Sequence, residues 1–549
     1  MNAKQLRDLA DSLFSKKMSL LNLQQEISEN FYPERADFTV RRHLGVDFAG
    51  NLMTSYPILC RRDLGDQIGT MLRNTNKPWF HNVVKDQNRQ DHETRQWLEW
   101  SSEVMRSTMY APATQFNKAT TQADHDFSAF GGACLTVRLN SKADDLIYRT
   151  WHLRDLAWME DEEGKICGIF RRWKPTIYTL MRLFNAGRPG TSLDSKIIRR
   201  AAKEPNAEID CYHFMVAADM YDGPNNGMPW RSIYYDCDNK HEMQSVAQRR
   251  KEYVIPRWLT VSGSQYPHSP ATVAALPEGR LLQAMTYTLL EAGEKVVNPP
   301  IIAVEQALRS DVALYSGAIT YIDRDYDERT GEALRPLVQD AKGMPLSKDM
   351  QADSRSLLAQ CFYLNRLKLP TNRPQMTAYE VGQYIQEYVR NALPLFEPME
   401  AEYNGALCEE TFSCIADAGG FGYPGDWPRK IRGADVVFRF ASPLHDAIEQ
   451  QKGAKFLEVS QLLAQAAAID KGVYGVVDAK VALRDALYGI QTPTKWTRSE
   501  GEVDAMEAKQ AADAQTASLL ANLQAAGGAA KDLATAGSLA PKQAAPMPA

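Results

Sequence analysis

Apolar side chains recur at three- and four-residue intervals from the start of the chain. Leu6, Leu9, Leu13 and Phe14 would line one face of a helix. The same spacing returns at Trp97, Trp100, Val104 and Met105, so residues 1 to about 130 read as mostly helical. From 131 to about 255 the pattern shortens. Ala133–Leu139 and Cys211–Val216 are rich in β-formers, and Gly and Pro punctuate the region, as in Asp222–Gly227. A strand-rich region with a helical insertion near 176–203 is expected.

Helical periodicity resumes from about Pro277 to Val297, where Asn298-Pro299-Pro300 stops it, because two prolines cannot continue a helix. Residues 299–345 look extended and turn-rich. A second helix is expected over Ser347 to Leu367, followed by the loop Lys368–Gln375. Thr377-Ala-Tyr-Glu380 fits a capping box, the Thr hydroxyl taking an orphan N–H and Glu380 reaching back to the cap. That helix should run to about Asn391, be kinked or broken at Pro394 and Pro398, and resume to about Ala418. Helices dominate again from Leu444 to Tyr488. The Ala/Gln-rich tail after 503 ends in Ala540–Ala549, which is expected to be disordered.

Length and composition narrow the class. The 549 residues exceed one hydrophobic core, and 44% apolar with 24% charged residues is an ordinary globular mixture. No apolar run is long enough for a membrane span, and the N-terminus lacks the apolar stretch of a secretion signal. The eight cysteines are scattered, with no C-x-x-C, which opposes a disulfide framework or a zinc site. The formal net charge of −5 is wrong for a tight DNA binder, whose affinity comes from neutralising phosphates. It does not exclude a surface that DNA slides past.

Motifs for catalysis are lacking. Gly420-Phe-Gly422-Tyr-Pro-Gly425 matches a dinucleotide fingerprint in letters. It follows a helix instead of a strand, however, and Pro424 and Pro428 oppose a helix start, so it reads as a helix stop and turn. Asp323-Arg-Asp325-Tyr-Asp327 begins like a calcium loop, but Glu328 replaces the required Gly and Leu334 the bidentate Glu, leaving a solvated acidic loop. Asp161–Gly164 reads as an acidic turn between strands. No P-loop, H-E-x-x-H or G-x-S-x-G occurs. No enzyme, metal or cofactor is expected.

Met376-Thr-Ala-Tyr-Glu-Val381 resembles the M-T-A-T-E-V signature of the podovirus portal proteins, the head-to-tail connecting proteins of short-tailed bacteriophages. Tyr379 replaces the usual Thr, while the capping pair Thr377 and Glu380 is retained. Other pieces follow in the family's order. They are Tyr32-Pro33, Lys77-Pro-Trp-Phe80, Phe130-Gly-Gly-Ala133, Gln265–Pro270, Leu276-Pro277, Asn298–Ile302, Gly317–Tyr321 and Ser442–Leu444.

The resemblance implies an α+β, predominantly helical portal fold assembled as a ring of twelve subunits. In that fold 1–275 is the wing, 276–298 and 347–367 the stem helices, and 299–346 the clip. Residues 368–376 are a loop into the channel, 377–440 the channel-lining helix and its return, and 441–502 the crown. Double-stranded DNA would pass through the ring, with Lys368 and Arg373 as candidates for transient phosphate contact. Implied partners are the terminase large subunit, the major capsid and scaffolding proteins and a tail adaptor, and no membrane. The location implied is the virion, at a capsid vertex, after assembly in the host cytoplasm. Another virion structural protein, such as a tail adaptor, and an enzyme on a helical scaffold are the alternatives.

Overall fold

The computed structural model describes residues 1–40, 49–75, 77–85, 91–140, 142–184, 190–297, 299, 301–303, 334–336, 343–367, 399–433, 435–440, 458–463, 465, 478–489, 492, 494–498 and 501–518. The chain divides into two units. The first comprises Met1–His81, Glu103–Tyr423 and Phe438–Ile448, and the second Asn82–Ser102, Pro424–Val437 and Glu449–Ala549.

The first unit opens with α1 (Ala3–Lys16) and α2 (Met18–Phe31). Asn2 and Gln5 form a reciprocal capping box at the start of α1, each side chain accepting from the other's backbone N–H at 2.9 Å. The helix buries Ala3, Leu6, Ala10 and Phe14, with Leu9 and Leu13 packed beside them. α3 (Tyr56–Leu72) and α5 (Phe116–Phe130) follow in this unit, while most of strand β1 (Phe80–Val84) and α4 (His92–Met109) belongs to the second.

Two antiparallel sheets come next. β2 (Leu135–Leu139), β3 (Leu146–Thr150) and the later β9 (Tyr253–Val254) form a three-stranded sheet in the order β3-β2-β9. β4 (Leu156–Glu160), β5 (Ile166–Trp173), β6 (Cys211–Ala217), β7 (Trp230–Asp236) and β8 (His241–Gln248) form a five-stranded meander. The turn at 161–164 joins β4 to β5, with Gly164 at φ 74° and Asp161 Oδ1 accepting from the N–H groups of Glu163 and Lys165. The expected insertion consists of two short helices, α6 (Ile177–Phe184) and α7 (Ser195–Ala201).

Strand alternation gives the meander two different faces. Phe170, Phe214 and Ile233 point to one side and meet α1. The other side is covered at one end by Ile177, Leu180, Phe184 and Ile197 of α6 and α7, packed on Cys211 and Met243. Farther along the same side, Arg171, His213 and Tyr234 face the three-stranded sheet.

α8 (Pro270–Val297) starts earlier than the expected Pro277, which lies inside it. Pro270 suits a first helical position, where its missing N–H is no loss. β10 (Ile301–Ala303) pairs antiparallel with β11 (Leu334–Pro336). α9 (Gly343–Cys361) begins before the expected Ser347 and stops short of Leu367. The break falls at Tyr363, left-handed at φ 57°, after which α10 (Leu364–Leu367) is a single turn. Phe362 is buried on Phe31 there, with ring centroids 5.4 Å apart. Gln351 Nε2 donates to Thr286 Oγ1 at 3.3 Å, and Cys361 lies near Glu278, so α8 and α9 run antiparallel. A π-helical turn (Glu400–Gly405) leads into α11 (Ala406–Asp417). Gly419 and Gly422 then take left-handed φ, so the 420–425 glycines form a helix stop and turn. β12 (Val436–Phe440) and α12 (Ala479–Gly489) complete the labelled elements.

In the second unit Val84, Leu98 and Ile431 form a small core with Trp97, Trp427 and Val436 beside it. Asp91 caps α4, accepting from Thr94 N at 3.0 Å. The inner face of α4 here is Thr94, Leu98, Ser101 and Ser102; of the expected stripe Met105 is buried, Trp97 packs beside this core and Trp100 is exposed. The serines tolerate burial because Asn82 satisfies them: its N donates to Ser102 Oγ and its Nδ2 to Ser101 Oγ, both at 2.9 Å. Among the described residues no helix is long and apolar enough to cross a membrane.

Candidate functional site

Lys368, Arg373, Met376, Thr377, Glu380 and Val381 lie outside the described residues, as do Gly317–Tyr321, Asp323–Glu328 and Ser442–Leu444. Of the earlier signature pieces, Tyr32-Pro33, Phe130–Ala133 and Gln265–Pro270 meet at the end of α5. Tyr32 stacks on Phe130 with ring centroids 6.5 Å apart, and the Arg61 guanidinium lies 3.9 Å from the Tyr32 ring centroid. Pro33 opens a short turn that carries Arg35 to Asp126. There Nε and Nη2 grip the two carboxylate oxygens at 3.1 and 2.7 Å.

The C-terminus of α5 explains the double glycine. Gly131 adopts φ 72°, and a Cβ there would run into the backbone of His268 and Ser269. The Gly131 carbonyl accepts from Trp258 N at 2.7 Å. Ser269 Oγ donates to Ser128 O at 2.7 Å and Thr272 Oγ1 to Ala129 O at 2.8 Å. The first turn of α8 thereby satisfies carbonyls that the end of α5 leaves without helical partners. The segment 265–270 must cross these glycines at backbone distance, which side chains would prevent.

Deeper in α5, Asp124 is buried and accepts from Tyr403 Oη at 2.8 Å. Arg73, also buried, pairs with Asp124 and donates to Asn404 Oδ1 at 2.8 Å, while Asn404 Nδ2 donates to Leu72 O at 3.1 Å. Burial works against the Arg73 charge, but the Asp124 carboxylate outweighs it and holds the guanidinium pKa above its ordinary value. The hub ties α3, α5 and the π-helical turn together through side chains far apart in sequence.

A second constellation fills the space between the two sheets. His213 is fully buried, stacked on Tyr234 at 4.1 Å between ring centroids. Arg171 Nε donates to Tyr253 Oη at 3.0 Å, and that oxygen lies 2.6 Å from His213 Nδ1. His213 Nε2 lies 2.9 Å from Ser232 Oγ, so the neutral ring can accept through one nitrogen and donate through the other. Burial, reinforced by Arg138 and Arg171, pushes the His213 pKa well below its usual range and keeps the ring neutral. Arg138 Nη1 donates to Tyr234 Oη at 3.0 Å, and its Nε lies 2.7 Å from Glu252.

The family model described as bacteriophage head to tail connecting protein matches residues 3–496. The chain belongs to that family. This connector is 24% identical over 448 residues to a "Probable portal protein" of Bordetella phage BPP-1, covering 79% of this chain and 78% of the relative. It is 21% identical over 474 residues to a "Portal protein" of Salmonella phage epsilon15, covering 83% and 82%. Among solved structures it is similar to a chain of the "Virion of native gene transfer agent (GTA) particle", with 9% identity, a TM-score of 0.34, and 81% of this chain and 95% of that chain covered. It is also similar to a chain of the "Neck of native GTA particle computed with C12 symmetry", with 9% identity, a TM-score of 0.33, and 73% and 89% covered. These last two likenesses are too slight to bear on its fold.

Sequence reading of this connector named the glycines and Tyr32-Pro33 but missed Arg73, Asp124, Tyr403 and the inter-sheet layer. One signal was available: Arg138, Arg149 and Arg171 sit in strand-like segments among apolar residues, where an arginine needs a partner.

Proposed function

We propose that this connector is the portal subunit, closing as a homo-oligomeric ring, twelve-fold, around a channel through which double-stranded DNA is packaged and ejected. The family match across 3–496, with two relatives bearing the portal name, supports this reading. A ring of identical chains needs head-to-tail interfaces with rotational closure. The ring stands at a capsid vertex of the virion. Its clip, 299–346, docks the terminase large subunit and later a tail adaptor, while the capsid and scaffolding proteins hold the wing.

The chain hydrolyses nothing, and the work of packaging comes from the terminase. The net charge of −5 per chain, repeated around the ring, repels phosphate at long range and keeps DNA from being gripped. Lys368 and Arg373 supply brief, sequence-independent phosphate contacts within the short reach that salt screening leaves, about 8 Å. Negative-stain microscopy of the purified chain, with a nucleotide-hydrolysis assay on the same sample, tests the reading. Closed rings without hydrolysis support it, and hydrolysis by monomers opposes it.

A further inference from the structure

Arg171 is the unbalanced cation of the inter-sheet layer. It is 3% exposed, and among the described residues no carboxylate lies within ion-pair distance of it. Its Nε is taken by Tyr253, but its Nη1 has no acceptor. Arg138 Nη2 is likewise a buried donor without an acceptor, and its Nε, though 2.7 Å from Glu252, forms an ion pair there without hydrogen-bond alignment. The third cation is Arg149, which is exposed. Its guanidinium carbon lies 4.1 Å from the Trp151 ring centroid, and that of Arg171 lies 3.9 Å from the same point.

The register explains the crowding. Thr136 pairs with both Arg149 and Tyr253, so Arg138, Arg149 and Tyr253 share the face turned toward Arg171 and His213. Three guanidiniums thus gather around Tyr253 and Trp151, and Glu252 answers only Arg138. The aromatic faces offset part of the charge. They cannot accept the in-plane hydrogen bonds of Arg171 Nη1 and Arg138 Nη2, and a buried charge without a partner costs several kcal/mol. What is missing is negative charge carrying at least two acceptor atoms. The guanidinium fork matches an oxyanion of the phosphate type.

We propose that a small oxyanion of the phosphate class binds at the edge of this layer, held by Arg171 Nη1 and Arg138 Nη2 and covered from the solvent side by Arg149. The donors are buried, so the ion is a free one. The phosphodiester of a duplex is too bulky to reach them. The site welds the two sheets and does not depend on the channel reading.

The test uses the full-length purified chain in its native assembly. Inorganic phosphate replaces chloride at constant ionic strength, and thermal unfolding and isothermal titration are followed. The wild type gains melting temperature saturably and binds phosphate. Arg149→Gln, a change at an exposed position, removes the covering charge and weakens the apparent affinity about tenfold. Arg171→Gln abolishes binding. If Arg171→Gln fails to fold, the Arg149→Gln shift alone decides. A blunt-ended DNA duplex at equal phosphate concentration produces no shift that Arg149→Gln removes. Absence of saturable stabilisation, the same affinity in Arg149→Gln, or an equal effect of the duplex would overturn the proposal.

Discussion

The Tyr403 hydroxyl donates to the Asp124 carboxylate at 2.8 Å, joining positions 279 residues apart in the chain. Asp124 is also the counter-ion of buried Arg73. Removing one member of such a pair leaves an uncompensated charge in the interior, whereas replacing both with apolar groups need not. Asp124→Asn should therefore lower stability by about 3–5 kcal/mol, and Arg73→Met with Asp124→Leu should recover most of that loss. Chemical denaturation of the three variants checks this. A midpoint for Asp124→Asn equal to the wild type would show that Asp124 is not the ionised partner of Arg73.

Two glycines with nearly the same backbone conformation should respond differently to alanine. Gly164, at φ 74°, has open space where a Cβ would go, so Gly164→Ala carries only the cost of left-handed backbone, about 1 kcal/mol. Gly131, at φ 72°, meets the backbone of His268 and Ser269, which cannot rotate away. Gly131→Ala should lower the melting temperature several times as much as Gly164→Ala, or abolish soluble expression. Equal shifts would place the 265–270 segment elsewhere.

Burial raises the Glu410 carboxyl from its usual range to about 7. The folded chain therefore keeps that proton longer than the unfolded chain does. Between pH 4.5 and 7 stability falls as pH rises, and above 7 the whole penalty is present. Gln in its place still accepts from Glu252 N, now 3.2 Å away, and carries no charge. Glu410→Gln should match the wild type near pH 4.5 and exceed it by roughly 2–4 kcal/mol at pH 8, since one pKa unit is worth about 1.4 kcal/mol. Unfolding curves at the two pH values check this. A parallel offset at both would assign the effect to packing.

What the sequence disclosed was local. Period and punctuation located α1, the helical insertion of the meander and α8, because Leu6, Phe14 and the prolines act within a few residues of themselves. The break at Tyr363 and the serine face of α4 were not legible. Each depends on a distant partner: Phe31 and Trp258 for the first, Asn82 for the second. The same holds for Asp124 and for Arg171, whose partners arrive from other strands and helices. The family signature at Met376–Val381 was readable because it is a string and needs no distant partner.

If Lys368 and Arg373 touch passing phosphates, changing both to Ala should leave assembly intact and alter either the DNA packaged or the DNA retained. Mutant capsids assembled in parallel with wild type allow both quantities to be measured. Wild-type values for both would withdraw 368–376 from the channel.

The most direct measurement is electron microscopy of the purified full-length chain at micromolar concentration. Closed rings of about twelve subunits, with a central hole wide enough for a DNA duplex about 20 Å across, are the expected result for a connector that closes by head-to-tail contacts. A strictly monomeric species, or open filaments without a channel, would contradict the portal reading.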